Sequence, residues 1–398
     1  MKKVLAIVLA LAMVLCCFAA CGGNSGNDTT TAAPTGETTA PVASTGIKVA
    51  MITDYGDITD QSFNQTTYEA CKEYCEANGM EFSYFKPASD SDEERVAQIE
   101  SAIDGGYTVI VTPGYAFANA LKSTVADNAE VTFIALDVSA ADFGADYVVP
   151  ANLYSAVYQE ELCGYMAGYA AVKLGYKALG FLGGMAVPAV IRYGYGFVQG
   201  IDAAAAELNL TDVTVKYAYG NQFFGDADIT AAMDTWYADG VEVVFACGGG
   251  IYTSAVDAAK KVEGAKVIGV DVDQAAVIAK YAAGEGASDE DIAKYNDLTV
   301  TSAMKGLAPT VKTMLAAVKD GTFTGGKIDT LGLVSEVPAD NYVQIAGSTQ
   351  FAEGFTADDY AALVAKLFKG EITVSNDTTV KAENFATVIA VTDLGNIK

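Results

Sequence analysis

The stretch Asp54-Tyr55-Gly56-Asp57-Ile58-Thr59-Asp60-Gln61-Ser62-Phe63-Asn64 connects a strand-like run at residues 47–53 to a helix-like run that ends near residue 79. Ser62, with Gln65 three residues later, matches a capping box, which predicts that the helix begins at Phe63. The first helical turn then lies at the carboxyl end of the first strand, where open α/β sheets bind their ligands. The stretch therefore predicts both an α/β fold and the position of a binding site.

Strand-like and helix-like segments alternate along the chain that follows. Apolar runs typical of buried strands occur at residues 81–85, 107–111, 131–136, 178–182, 213–219, 241–246 and 266–270. Amphipathic runs typical of helices lie at residues 93–103, 154–174, 189–208 and 229–237. This alternation predicts parallel sheets covered by helices on both faces, and the strands are too many for one sheet of ordinary size. We therefore expect an α/β protein with two doubly wound, Rossmann-like lobes.

Length and charge limit the possible functions. The chain has 398 residues, 51% of them hydrophobic, which suits two core-forming domains. It carries 24 basic residues against 50 acidic ones, and a net charge of -26 disfavours binding to nucleic acid or to an anionic surface. The chain contains no histidine, so the commonest general base and metal ligand is absent from the sequence. These features favour a binding protein over an enzyme.

The first 46 residues have the pattern of an export signal followed by a tether. Residues 1–20 combine two lysines with an apolar run, which predicts a signal peptide. Phe18-Ala19-Ala20 before Cys21 resembles a bacterial lipobox, so we expect Cys21 to carry lipid; an ordinary signal peptide is the alternative. Residues 22–46 are mostly small and polar and predict a flexible linker. On this interpretation the folded part is anchored to the cell membrane and faces outside the cytoplasm.

The sequence contains no recognisable motif for a cofactor or a metal ion. The glycines at residues 248–250 follow an apolar strand, but Thr253 stands where a dinucleotide fingerprint requires its third glycine. Cys71 and Cys75 lie one helical turn apart on an apolar face, which favours two core residues over a disulfide or a zinc site. We therefore expect no cofactor and no metal.

Two aspartates follow predicted strands directly. Asp137 comes after the run at residues 131–136, and Asp271 comes after the run at residues 266–270. Both carboxylates are expected to face the cleft, because ligands bind at the carboxyl ends of parallel strands. From position alone, each aspartate fits a helix cap equally well.

The segment from Asp54 to Asn64 has the form Asp-x-Gly-x-x-x-Asp-x-Ser-Phe-Asn and resembles the signature of the basic membrane lipoprotein family. Members are substrate-binding lipoproteins of ABC transporters, and the best-understood ones bind purine nucleosides. Further segments match the family pattern, namely Ala135-Leu136-Asp137, Gly269-Val270-Asp271-Val272-Asp273-Gln274 and Thr299-Val300-Thr301-Ser302-Ala303-Met304-Lys305. The resemblance extends over about residues 47–333.

The resemblance implies the type I periplasmic-binding-protein fold, in which three crossovers join two doubly wound lobes at a hinge. On that basis we expect the first lobe to comprise residues 47–151 and about 273–330. The second lobe is expected to comprise residues 152–272 with part of 331–398. The crossovers are expected near residues 147–152, near residues 271–274 and after a helix at residues 307–319.

The resemblance also implies a role for each residue of the site. Phe63 would stack on the base, while Asn64 and Asp137 would hydrogen-bond its edge. Asp271 and Lys305 would take the ribose hydroxyls. The second-lobe aromatic remains open among Phe223, Phe224 and residues 192–197. The expected ligand-binding residues are Asp54, Asp60, Phe63, Asn64, Asp137, Phe224, Gly248, Asp271 and Lys305.

The function that the resemblance implies is capture of a nucleoside between two lobes and its delivery to the permease and ATPase subunits of an ABC transporter. We expect the protein to act as a monomer and without catalysis. A sugar or another small polar solute is an alternative ligand, since one fold serves many ligands. A receptor that feeds a membrane sensor is the alternative role.

Overall fold

The computed structural model describes residues 44–398. The predicted signal peptide, Cys21 and nearly all of the predicted linker lie outside these residues. Within residues 44–398, no helix combines the length and the hydrophobicity needed to cross a membrane.

Parallel strands form two separate sheets. The strands are β1 Lys48–Ile52, β2 Glu81–Phe85, β3 Val109–Pro113, β4 Thr132–Leu136, β5 Leu153–Tyr158, β6 Ala178–Gly183, β7 Thr214–Tyr219, β8 Val243–Cys247, β9 Lys266–Asp271, β10 Thr299–Lys305, β11 Lys327–Leu331, β12 Val343–Ile345 and β13 Ala390–Asn396. The first sheet has the order β11-β5-β4-β3-β1-β2, and the second has the order β12-β10-β9-β8-β6-β7-β13. All neighbouring strands are parallel except the antiparallel pair β10 and β12.

Helices cover both sheets. They are α1 Phe63–Asn78, α2 Asp92–Asp104, α3 Ala118–Thr124, α4 Ala140–Phe143, α5 Glu160–Lys173, α6 Pro188–Glu207, α7 Ala227–Ala238, α8 Tyr252–Ala259, α9 Ala275–Ala283, α10 Asp289–Ala293, α11 Leu307–Lys319 and α12 Ala357–Phe368. Strands β3 and β8 are buried along their whole length, as expected of parallel strands with helices on both faces. The predicted fold class, two doubly wound α/β lobes, is confirmed.

The segment predicted as one helix over residues 154–174 contains a strand and a helix. Strand β5 pairs with β4 and β11 in the first sheet, and α5 begins only at Glu160. The strand is almost wholly buried on both faces, so its pattern cannot be separated from a buried helix by periodicity alone. The predicted first crossover near residues 147–152 is therefore wrong, since the chain leaves the first sheet after Tyr158.

The prediction that the chain returns to the first lobe near residues 271–274 is also wrong. Strand β10 pairs with β9 in the second sheet, with Ala303 opposite Val270. The return therefore follows Lys305, after which α11 packs on α1 and β11 pairs with β5. A third passage leads from β11 to β12. The number of crossovers is three, as the resemblance implied, but their positions differ.

Helices α5 and α6 pack with their backbones in direct contact. A Cβ atom at Gly196 would collide with the carbonyl oxygen of Glu161, and one at Gly200 would collide with that of Tyr165. The two contacts are one helical turn apart on each helix, so the helices run in the same direction. This packing sets the start of α5 beside the first turns of α6, next to the cleft.

The last part of the chain adds β13 to the free edge of β7 in the second sheet. Asp202 on α6 is buried and accepts hydrogen bonds from the backbone nitrogens of Thr387 and Val388 and from the Thr387 hydroxyl. A buried carboxylate that accepts several hydrogen bonds is well satisfied. These contacts fix the strand on the second lobe.

Candidate functional site

A cavity of about 390 Å³ lies between the two lobes. This volume falls in the range of small-molecule sites, which are concave and mostly apolar with a few polar groups. The structure brings all nine predicted site residues to its wall: Asp54, Asp60, Phe63, Asn64, Asp137, Phe224, Gly248, Asp271 and Lys305. That they bind a ligand stays a prediction.

The loop before α1 is organised by Asp60. Helix α1 begins at Phe63 as predicted, but the Ser62 side chain makes no capping hydrogen bond, so the predicted capping box is wrong. The Asp60 carboxylate instead accepts from the backbone nitrogens of Ser62, Asn64 and Gln65 at 2.9–3.0 Å. Burial raises the pKa of Asp60 to about 6, against the effect of these hydrogen bonds. Asp60 therefore holds the loop, and Ser62 is free for another contact.

The freed Ser62 hydroxyl connects the two lobes. It donates to Asp271 Oδ2 at 2.5 Å, and the Tyr193 hydroxyl donates to Asp271 Oδ1 at 3.3 Å. Asp137 and Asp271 both have left-handed backbone conformations, with φ of 61° and 64°. Such conformations are uncommon for residues with a side chain and cluster at functional sites. Both strand-end carboxylates thus face the cleft and contact other cleft side chains.

Lys305 is the centre of a buried cluster of charges. Its Nζ lies 2.5 Å from Asp137, 3.5 Å from Glu160 and 3.8 Å from Asp271. Burial opposes its charge, but the carboxylates outweigh that effect and raise the pKa of Lys305. Burial raises the pKa of Asp137 to about 6, although the neighbouring ammonium opposes the shift. At neutral pH we therefore expect Lys305 to be charged and Asp137 to be ionised.

The ammonium of Lys305 also lies 4.7 Å from the centre of the Phe63 ring, within the range of a cation–π contact. The ion pair with Asp137 is shorter than the contact with Asp271. We expected Asp137 to contact the base and Lys305 to contact the ribose. The two side chains are directly paired, so they lie at the same place in the cavity.

Two charged residues of the site were not predicted. Glu160, at the start of α5, is fully buried, and its Oε2 accepts from Arg192 Nε at 2.7 Å. Arg192 lines the cavity and lies on α6. The signal in the sequence was an acidic pair, Glu160 and Glu161, inside an otherwise apolar run, since unpaired buried carboxylates are rare. Glu160 thus links Arg192 to Lys305.

The second-lobe aromatic is best assigned to Phe223. Its ring packs on Gly184 and Gly248, where a Cβ atom would overlap it, and its centre lies 6.3 Å from the ring centre of Tyr55 on the first lobe. Phe224 also lines the cavity but is 61% exposed. The structure therefore favours Phe223 over Phe224 as a stacking surface, and it adds Tyr55 as an aromatic that was not predicted.

The described residues show no sign of a metal centre. Within residues 44–398, no group of three or more cysteine or acidic side chains is placed to hold a metal ion. Cys71 and Cys75 are buried and unbridged, so the prediction that they belong to the core is confirmed.

The fold defines an architectural class, proteins in which two doubly wound α/β lobes enclose a cleft. A solved structure of an ABC transporter solute-binding protein from Conexibacter woesei superimposes with a TM-score of 0.61 at 21% identity, and the match covers 83% of this chain and 99% of that chain. Within this class, residues 47–346 match the family described as "Bmp: ABC transporter substrate-binding protein PnrA-like". The chain belongs to this family, so the predicted resemblance is confirmed.

Curated relatives agree with this assignment. The chain is 30% identical over 305 residues to the "ABC transporter nucleoside-binding protein BmpA" of Lactococcus lactis. The match covers 73% of this chain and 80% of that protein. It is 26% identical to "Basic membrane protein A1" of Borrelia garinii, over 72% of this chain and 77% of that protein. The chain is therefore a substrate-binding protein of an ABC transporter. Its partners are a small-molecule ligand and the transporter's permease and ATPase.

Proposed function

We propose that this protein captures a purine nucleoside between its two lobes and delivers it to the permease. The observation that carries the proposal is the convergence of aromatic rings from both lobes and strand-end carboxylates from both lobes on one cavity. The name of the relative from Lactococcus lactis supports the nucleoside class. No cofactor or metal enters this scheme, because capture needs only closure of the lobes.

The geometry suits a flat ring joined to a diol. Phe63 and Tyr55 on the first lobe and Phe223 on the second offer faces for the base, and stacked aromatic rings prefer such offset contacts. Asp271 and Asp137 accept hydrogen bonds from ribose hydroxyls or base N–H groups, and charge-assisted bonds of this kind are the strong ones. Lys305 places a positive charge beside both carboxylates. One chain supplies the whole wall of the cavity, so we expect a monomer to bind one ligand.

Thermal unfolding with candidate ligands tests the proposal. Nucleosides should raise the melting temperature, while free ribose should not, because ribose lacks the ring that stacks. At about 100 times the dissociation constant, the ligand should add about 2.7 kcal/mol to the free energy of unfolding. A shift with pentoses or hexoses and none with any nucleoside would instead support the sugar-binding alternative.

A matched pair of phenylalanine variants sharpens the test. Phe223→Ala should abolish most of the shift caused by nucleosides, because the packed ring in the cleft is lost. Phe368→Ala, at an exposed position outside the cavity, should leave the shift unchanged. Equal shifts in the two variants would contradict the role of Phe223.

We also propose that the protein is a lipoprotein held on the outer side of the cell membrane through Cys21. Because Cys21 follows two alanines and precedes a polar linker, Cys21→Ser should remove the lipid and release the protein into the soluble fraction. Fractionation of cells labelled with a fatty acid checks this result. A Cys21→Ser protein that stays in membranes and keeps the label would contradict the proposed anchor.

A further inference from the structure

Arg192 is a charged donor that is only partly used by the protein. Its Nε donates to Glu160, and 16% of its side chain remains accessible, at the wall of the cavity. Within the part of the chain that the structure describes, its two terminal nitrogens donate no hydrogen bond to protein. A guanidinium carries five N–H donors in a fixed plane, so four remain for a ligand.

Glu160 fixes the direction of those donors. The carboxylate is fully buried at the start of α5, and the close contact of α5 with α6 holds it beside Arg192. Its second oxygen lies 3.5 Å from Lys305 Nζ, which is itself paired with Asp137. Because Nε donates to Glu160, the N–H groups of the two terminal nitrogens are the donors that remain for a ligand.

The rest of the charged wall offers acceptors. Six aspartates line the cavity, at positions 54, 57, 60, 137, 142 and 271. The ammonium of Lys305 is already shared among three carboxylates. The side-chain oxygens Asp137 Oδ1 and Asn64 Oδ1 are buried without a hydrogen-bond partner within residues 44–398. An anionic ligand would meet repulsion from this wall, so the acceptor that pairs with Arg192 belongs to a neutral group.

We propose that Arg192 selects nucleosides of 6-oxopurines, such as guanosine and inosine, over adenosine. This inference rests on the proposed function. A guanidinium pairs with two adjacent acceptors, and the O6 and N7 atoms of a 6-oxopurine are such a pair. Adenine presents an amino group at position 6, which sets a donor against the donors of Arg192. The N–H group at N1 of the 6-oxopurine also suits the unpartnered acceptors of Asn64 and Asp137, which line the same cavity.

Calorimetric titration of the wild-type protein with guanosine, inosine and adenosine gives the first result. Guanosine and inosine should bind at least about tenfold more tightly than adenosine, on the scale of one bidentate contact. A 7-deaza analogue of guanosine, which lacks the N7 acceptor, should bind more weakly than guanosine. Equal or tighter binding of adenosine would overturn the role of Arg192.

A double variant isolates the residue. Arg192→Gln combined with Glu160→Gln removes one charge of each sign, so no buried carboxylate loses its only partner. The ratio of the guanosine affinity to the adenosine affinity should fall to near one. The cause should be weaker binding of guanosine, not tighter binding of adenosine. The matched control is Glu73→Gln with Lys312→Gln, a surface ion pair at 2.8 Å that should leave the preference unchanged.

The outcomes separate this inference from the proposed function. If purine nucleosides bind but the double variant weakens all of them equally, Arg192 has no role in base selection and the inference fails alone. If no purine nucleoside binds the wild-type protein, the proposed function fails and the inference fails with it. Circular dichroism of the double variant, together with its melting temperature, shows that a lost preference does not come from an unfolded protein.

Discussion

Replacing Lys305 with methionine is expected to destabilise the protein by about 3–5 kcal/mol, the usual cost of breaking a buried ion pair by removing one partner. The change leaves Asp137, Asp271 and Glu160 around a site that has lost its shared cation. Methionine fills much of the lysine volume, so the loss is electrostatic in origin. Ligand binding should also be lost, because three carboxylates at the cavity then lack the ammonium that holds them in place. Urea unfolding of both proteins measures the difference.

Two further variants control this result. Lys312→Met removes an exposed ion pair with Glu73 and should cost about 1 kcal/mol or less. Adding Asp137→Asn to Lys305→Met should restore part of the lost stability, because one uncompensated carboxylate is removed. If Lys305→Met unfolds at the same urea concentration as the wild-type protein, the contacts of Lys305 with these carboxylates do not stabilise the fold, and our description of the cluster is wrong.

The fold could be predicted from sequence where a strand is apolar and ends at a clear boundary. Strand β2 and helix α1 lie at the expected residues, and the strands that end at Asp137 and Asp271 were located from their apolar runs. One error concerns secondary structure, since residues 154–158 form a strand where a helix was predicted, and another concerns sheet membership. Which sheet β10 joins depends on its pairing with β9, and no local pattern in residues 299–305 carries that information.

The site residues also fall into those that could be predicted from local sequence and those that could not. Phe63, Asn64, Asp137 and Asp271 were placed at the cleft because each lies at the end of a strand or the start of a helix, and the family resemblance implied their roles. Glu160 and Arg192 were missed because their contact depends on how α5 packs against α6. Asp60, and not Ser62, accepts the hydrogen bonds at the start of α1, and this error also comes from a contact between distant residues. A capping box is a local pattern, but here the Ser62 hydroxyl pairs with Asp271, 209 residues away.

The contact between α5 and α6 leads to a second large expected effect, from Gly196→Ala combined with Gly200→Ala. In an exposed helix, each change would stabilise by about 1 kcal/mol, because alanine has the higher helix propensity. Here each new methyl group meets a backbone carbonyl of α5, and backbone cannot move aside as a flexible side chain does. Overpacking costs about 1–3 kcal/mol per site, so the double variant should be less stable than the wild-type protein. Thermal and urea unfolding measure the sign.

Ala206→Gly on the same helix is the matched control, because Ala206 is exposed and this change tests helix propensity alone. It should destabilise by up to about 1 kcal/mol and leave ligand binding unchanged. The variant with Gly196→Ala and Gly200→Ala should also bind the ligand more weakly, because separating the helices moves Glu160 away from Arg192 and Lys305. A double variant that is more stable than the wild-type protein would show that propensity outweighs packing at these positions. The two helices would then not be in backbone contact, and the placement of Glu160 would need another cause.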